Sequence, residues 1–129
     1  MTSILLVEDH TGFANVLIRL LNMTDDLEVT TVAANAEQAL QELPTRKFDL
    51  VLVDVALPTV NGISLVGIIH GQYPDLPCLM LSGHMLSHYV KLALQAGARG
   101  YILKDNGSAI VEGIRRVLSG EIYLSKELR

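Results

Sequence analysis

LVLVDVALPTVNG, residues 50–62, decides the fold: four apolar residues end on one acid, Asp54, and the polar residues, proline and glycine that follow break the run. A short apolar run bounded in this way reads as a buried strand of a parallel sheet. The same pattern recurs elsewhere. SILLV runs into Glu8 and Asp9, CLML into Ser82, and GYIL into Lys104. If these runs lie side by side in one parallel sheet, all of their carboxyl ends fall on one edge. An acidic cluster, a hydroxyl and an ammonium then converge on one small volume.

Between the runs lie amphipathic stretches, so the chain reads as five strand–helix units. Strands are expected near Ser3 to Val7, Glu28 to Ala33, Leu50 to Val53, Cys78 to Leu81 and Gly100 to Leu103. The first helix, about Thr11 to Met23, carries Phe13, Val16, Leu17 and Leu20 at helical spacing. Asn35 and Gln38 have capping-box spacing at the start of the second, which stops before Pro44. The third runs from about Ile63 to Gln72 and ends before Pro74, and the fourth occupies about Ser87 to Ala96 with Gly97 as a left-handed cap. In the last, about Ser108 to Ser119, Ile110, Val111, Ile114, Val117 and Leu118 form the buried stripe and Gly120 closes the helix. Right-handed crossovers and this length suit an α/β, flavodoxin-like (βα)5 doubly wound parallel sheet of strand order 2-1-3-4-5. In that order the first and third strands are neighbours at the switch point, so Glu8, Asp9 and Asp54 meet.

At 129 residues the chain is one domain, able to bury roughly two thirds of its unfolded surface. The longest uncharged stretches carry Pro, Asn, Gly, Ser, His and Gln, which argues against a membrane span. No basic region precedes the first apolar run, so no signal peptide is read and a cytoplasmic location is expected. Cys78 is the single cysteine and sits in an apolar run, which excludes a disulfide framework and reads as a small buried hydrophobe. A formal charge of -4 argues against nucleic-acid contact by this segment.

Two carboxylates about 5 Å apart repel by roughly 3 kcal/mol at an effective dielectric near 20. Three together need positive partners. Lys104 supplies one charge and a divalent cation two more. Oxygen-only ligation favours a hard ion, Mg²⁺ or Mn²⁺, and zinc-type Cys and His spacing is missing. A carboxylate beside such an ion can act as nucleophile in phosphoryl transfer, giving an aspartyl-phosphate. Asp54, alone at the end of a central strand, is the best candidate for that role, with Glu8 and Asp9 suited to the metal. Taken singly, each of these residues is more often structural: a helix-start charge, a turn residue, a cap or a solvated lysine. Their joint placement at successive strand ends is what points to chemistry.

The segments ILLVEDH, LVLVDVALPTVNG, LMLSGH and GARGYILKDNGS resemble the successive signature blocks of receiver domains of two-component response regulators, over essentially the whole chain. The resemblance implies that Asp54 accepts a phosphoryl group from a sensor histidine kinase. It also implies that Glu8 and Asp9 are the acidic pair, with Asp9, Asp54 and the Ala56 carbonyl ligating Mg²⁺. Ser82 and Lys104 would bind phosphoryl oxygens, Tyr101 would be the aromatic switch residue, and Gly83 would leave the site open. Ala56 and His84 lie where receivers vary and tune the lifetime of the phosphoryl group. A metal role for the His84 and His88 pair lacks a third ligand.

The ending SAIVEGIRRVLSGEIYLSKELR resembles receivers of the NarL/FixJ class, in which a linker and a helix-turn-helix DNA-binding domain follow. By that resemblance residues 1–129 are the receiver, about 120–129 begin a linker, and the output domain lies beyond; a stand-alone receiver is the alternative. A homodimer on phosphorylation is implied too, with Arg19 and Arg115 or Arg116 as interface candidates. As an enzyme, a Mg²⁺-dependent phosphohydrolase would place a second aspartate two residues after the nucleophile. Ala56 stands there, so no turnover on outside substrates is expected. A nucleotide- or flavin-binding domain of the same fold would want a G-x-G-x-x-G or P-loop after a strand, and neither is found.

Overall fold

The computed structural model describes residues 1–83 and 87–129. Its strands are β1 (Thr2–Val7), β2 (Leu27–Ala33), β3 (Leu50–Asp54), β4 (Cys78–Ser82), β5 (Gly100–Leu103) and β6 (Tyr123–Leu124). The helices are α1 (Thr11–Asn22), α2 (Ala36–Glu42), α3 (Gly62–Gln72), α4 (Ser87–Ala96) and α5 (Gly107–Leu118). All strand pairs are parallel, in the order β2-β1-β3-β4-β5-β6. The flavodoxin-like α/β architecture and the order of the first five strands are those the sequence predicts.

Two-residue periodicity splits the core between the sheet's faces. Ile4, Leu6, Leu50, Leu52, Leu79, Leu81 and Ile102 pack with Leu17 and Leu21 of α1 and Ile110, Ile114 and Val117 of α5. Leu5, Val7, Val51, Val53, Met80 and Tyr101 pack with α2, α3 and α4 through Ala39, Leu65, Ile69, Val90 and Ala93. Burial on both faces is why these strands read as continuous apolar runs.

Helices α2, α3 and α5 start on asparagine side-chain caps at the site's edge of the sheet. Asn35, Asn61 and Asn106 accept from the N–H groups of Gln38, Ser64 and Ala109 at 2.9, 2.9 and 3.1 Å. Gln38 Oε1 accepts from Ala34 N at 2.9 Å, one residue earlier than a strict capping box requires. Gly97 and Gly120 take the left-handed φ expected of them, 116° and 96°.

Three details differ from the sequence reading. Val16 is 66% exposed; Ala14, Leu17 and Leu21 form the inner stripe of α1 instead. Leu118, expected inside, lies at the end of α5 and is 37% exposed. The stretch 120–129, expected to begin a linker, adds β6 as a sixth strand beside β5, with Tyr123 and Ser125 buried.

Candidate functional site

The register aligns the strand ends. Val7 pairs with Val53, Asp54 with Leu81, and Ser82 with Leu103, so Glu8, Asp54, Ser82 and Lys104 emerge at nearly one level of one edge. Val55 N extends the β3–β4 ladder by donating to Leu81 O at 3.0 Å, and the loop then folds back so that Gly62 N donates to Val55 O at 2.9 Å.

Lys104 Nζ lies 2.7 Å from Glu8 Oε1 and 3.3 Å from Asp54 Oδ1. Asp54 Oδ1 also accepts from the Ala56 N–H at 3.2 Å, and Glu8 Oε2 from the His10 N–H at 3.1 Å. Glu8 and Asp54 are buried, whereas Asp9 is exposed at the mouth. One carboxylate oxygen from each of Glu8, Asp9 and Asp54 lies within 4.8 Å of the others. Ser82 is buried at the end of β4, one residue beyond the Leu81 that pairs with Asp54, and Tyr101 is fully inside the core. Burial pushes the Tyr101 phenol up, and the neighbouring Ser82 hydroxyl opposes that shift. Ala56 is exposed on the loop, and among the described residues no atom lies within 4 Å of a Cβ placed on Gly83. His84, and with it the His84–His88 pair, falls outside the described residues.

The donor set fits a hard divalent ion. Three carboxylates face one ammonium, leaving excess negative charge. Glu8 Oε1 is buried with the Lys104 ammonium 2.7 Å away as its partner, and a carboxylate oxygen can accept more than one such contact. Such an oxygen gains from another positive partner.

Burial raises the Glu8 pKa, with Lys104 and the His10 N–H opposing and Asp54 adding to the rise. A carboxyl whose folded pKa lies above its unfolded value contributes stability below the unfolded pKa, and that contribution is lost as pH rises through the folded pKa. Glu8→Gln is therefore expected to raise the melting temperature of the metal-free protein at neutral pH more than at pH 4, a difference that thermal melts across pH would show. An equal shift at both would mean that Glu8 ionisation costs the fold nothing.

One participant escaped the sequence reading. The Phe13 ring lies under Lys104, with Nζ 4.7 Å from its centroid, a cation–π contact that covers the ammonium on its α1 side. His10 caps α1 through Nδ1, which accepts from Phe13 N at 3.1 Å and so fixes the ring's backbone. Phe13 fits the apolar stripe, and periodicity alone offers no second role for it.

Residues 4–115 match the response regulator receiver domain family. The chain belongs to that family. Among curated relatives, the transcriptional regulatory protein DegU of Brevibacillus brevis is 32% identical over 122 residues, covering 94% of this chain and 52% of DegU. The crystal structure of a LuxR-family two-component response regulator from Aurantimonas sp. SI85-9A1 is similar at a TM-score of 0.95 and 28% identity, covering 99% of this chain and 93% of that one. A CheY-like receiver domain protein from Methanospirillum hungatei JF-1 is similar at a TM-score of 0.84 and 28% identity, over 93% and 95% of the two chains. The relatives place this receiver with the NarL/LuxR-type regulators. It spans little more than half the length of the curated relatives it matches. Among the described residues of this receiver, no helix is long and apolar enough to cross a membrane.

Proposed function

We propose that this receiver is a phosphorylation-driven switch in which Asp54 accepts a phosphoryl group from a sensor histidine kinase. The observation that carries the reading is the buried Asp54 carboxylate, held by Lys104 and ringed by Glu8 and Asp9. In the step itself, an Asp54 oxygen attacks phosphorus and the donor's bridging atom leaves with its bonding pair. Lys104 and Ser82 take up charge on the equatorial oxygens. Asp9, Asp54 and the Ala56 carbonyl, with Glu8 behind them, would hold Mg²⁺, which when bound neutralises phosphoryl charge. Ala56 offers no group to activate water, so the site stops at the acyl phosphate rather than turning over outside substrates.

Charge-assisted hydrogen bonds from the new phosphoryl group to Ser82 and Lys104, about 1.5–3 kcal/mol each, together approach the ~5.5 kcal/mol that inverts a 1:99 equilibrium. Tyr101 already lies inside. A switch built on it would hold that position once a phosphoryl group engages Ser82.

The output we propose is transcriptional, through a helix-turn-helix domain beyond this segment, because DegU is named a transcriptional regulator and is nearly twice as long as the match. Dimerisation on phosphorylation fits the α1 side better than the Arg115 and Arg116 pair. Arg115 forks onto Asp26 at 3.0 Å twice, and Arg116 is shared between Glu112 and Glu121 at 3.4 and 3.3 Å. Arg19 and Val16 are exposed on α1.

Incubation with acetyl phosphate and Mg²⁺ is expected to add one phosphoryl group by intact mass, and chelation of the metal to prevent it. Asp9→Asn should weaken Mg²⁺ binding far more than Glu112→Gln. No mass gain under any phosphodonor, or unchanged metal affinity in Asp9→Asn, would overturn the assignment.

A further inference from the structure

Lys104 immediately follows the last residue of β5, so where its ammonium reaches depends on how the end of that strand is held. On one side Lys104 N donates to Ser82 O at 2.9 Å. On the other, Leu103 N donates to a side chain, the Ser125 hydroxyl, at 3.0 Å. The preceding bonds are an ordinary parallel ladder, with Tyr123 N donating to Arg99 O and Ser125 N to Tyr101 O, each at 3.0 Å. The next rung of that ladder would run from Leu103 N to the Ser125 carbonyl. The chain leaves the sheet at this point for a 3-10 turn, Lys126–Leu128, and the hydroxyl takes the carbonyl's place.

Leu103 and Ser125 are both buried, 7% and 3% exposed. Without the hydroxyl, the Leu103 N–H would be left in the core with no acceptor, an outcome folded proteins avoid. Relief would come from moving the β5 end toward water, and Lys104 would move with it. The same segment touches the site's surroundings elsewhere. Leu124 and Leu128 pack on the cluster that holds Tyr101, and Glu127 borders a cavity with Ser82, Gly83 and Lys104. None of residues 123–128 falls within the stretch that matches the receiver family, 4–115.

We propose that Ser125 is a positioning residue for Lys104: its hydroxyl completes the β5 edge and makes the C-terminal segment part of the framework of the phosphorylation site. The inference rests on Asp54 being the phosphoacceptor. It also has a regulatory consequence. Coupling between two sites is reciprocal, so a phosphoryl group that engages Lys104 tightens the docking of 123–128 by the same factor by which docking tightens the site.

The test uses the full chain, beryllofluoride with Mg²⁺ as the phosphoryl mimic, and amide exchange by NMR. Ser125→Ala is expected to lose protection of the Leu103 amide while Leu5 and Leu52 keep theirs, and to bind the mimic about three- to tenfold more weakly. Ser125→Thr, which keeps the hydroxyl, should return toward wild type. If Ser125→Ala fails to fold, the wild type alone decides: the mimic should slow exchange at Leu103 and Ser125 by a similar factor. Equal mimic affinity in wild type and Ser125→Ala, or unchanged exchange at Leu103 and Ser125 in mimic-bound wild type, would overturn the proposal and leave Asp54 in place. A wild type that neither binds the mimic nor takes a phosphoryl group would overturn both.

Discussion

Treated with acetyl phosphate and Mg²⁺, the wild-type chain is expected to gain one phosphoryl group and the Asp54→Asn variant none. The amide is nearly isosteric with the carboxylate, so β3 and its neighbours should be undisturbed. It has no anionic oxygen to form the acyl phosphate, and its nitrogen is a poor nucleophile. The other acids do not stand ready to replace it. Glu8 has Oε1 against Lys104 at 2.7 Å and Oε2 on the His10 N–H at 3.1 Å, and its side chain is fully buried. Asp9 sits at the exposed mouth and, among the described residues, makes no ion pair with Lys104. Removing one of three clustered carboxylates also relieves repulsion, so the variant should melt at or above the wild-type temperature without metal. Intact mass and a thermal melt of the same sample separate lost chemistry from lost fold. Stoichiometric labelling of the variant at another residue would show that the acceptor lies elsewhere.

The strand ends were legible in the sequence because burial on both faces makes each central strand a run of apolar residues, and the first polar residue after such a run marks the edge. That signal located Glu8, Asp54, Ser82 and Lys104, which the structure brings together. β6 gave no such signal, being two residues long. Its trace lies in its neighbours instead. A Cβ on Gly100 would run into Leu79 Cδ1 and come 2.8 Å from Tyr123 O, and one on Gly113 would run into Ile102 Cδ1 and come 2.9 Å from Tyr123 Cδ2, so these glycines leave room for core side chains as well as for the extra strand. Val16 misled because helical spacing admits more apolar positions than one face buries. Phe13 and Ser125 were missed for a shared reason. A ring beneath an ammonium and a hydroxyl standing in for a carbonyl both depend on residues far apart in sequence, and neither has a local pattern.

Gly62→Ala is expected to lower the melting temperature by about 10 °C or more and to impair phosphorylation, because the backbone of Asp54 leaves no room for a side chain at position 62. A Cβ on Gly62 would lie 2.0 Å from the Asp54 carbonyl oxygen, 2.9 Å from its carbon and 3.0 Å from Val55 Cα. All three are backbone atoms. Asp54 ends β3, which is hydrogen-bonded between β1 and β4, so it cannot retreat. Gly62 is tied as well, through its N–H to Val55 O at 2.9 Å and the Asn61 cap on α3. Relief must come from lifting the start of α3, which breaks the Gly62–Val55 bond and drags the loop carrying Ala56. Overpacking of about 1–3 kcal/mol and a buried hydrogen bond left open at about 1–3 kcal/mol add to roughly 2–6 kcal/mol, hence the expected drop in melting temperature. Gly71 on the same helix supplies the control, since a Cβ there meets nothing within 4 Å. Gly71→Ala should stabilise by about 0.5–1 kcal/mol through helix propensity alone. If the two alanine variants melted alike, steric closeness at Asp54 would not be what the glycine is for; if only Gly62→Ala falls, and its phosphorylation falls with it, the acceptor's position depends on that backbone contact.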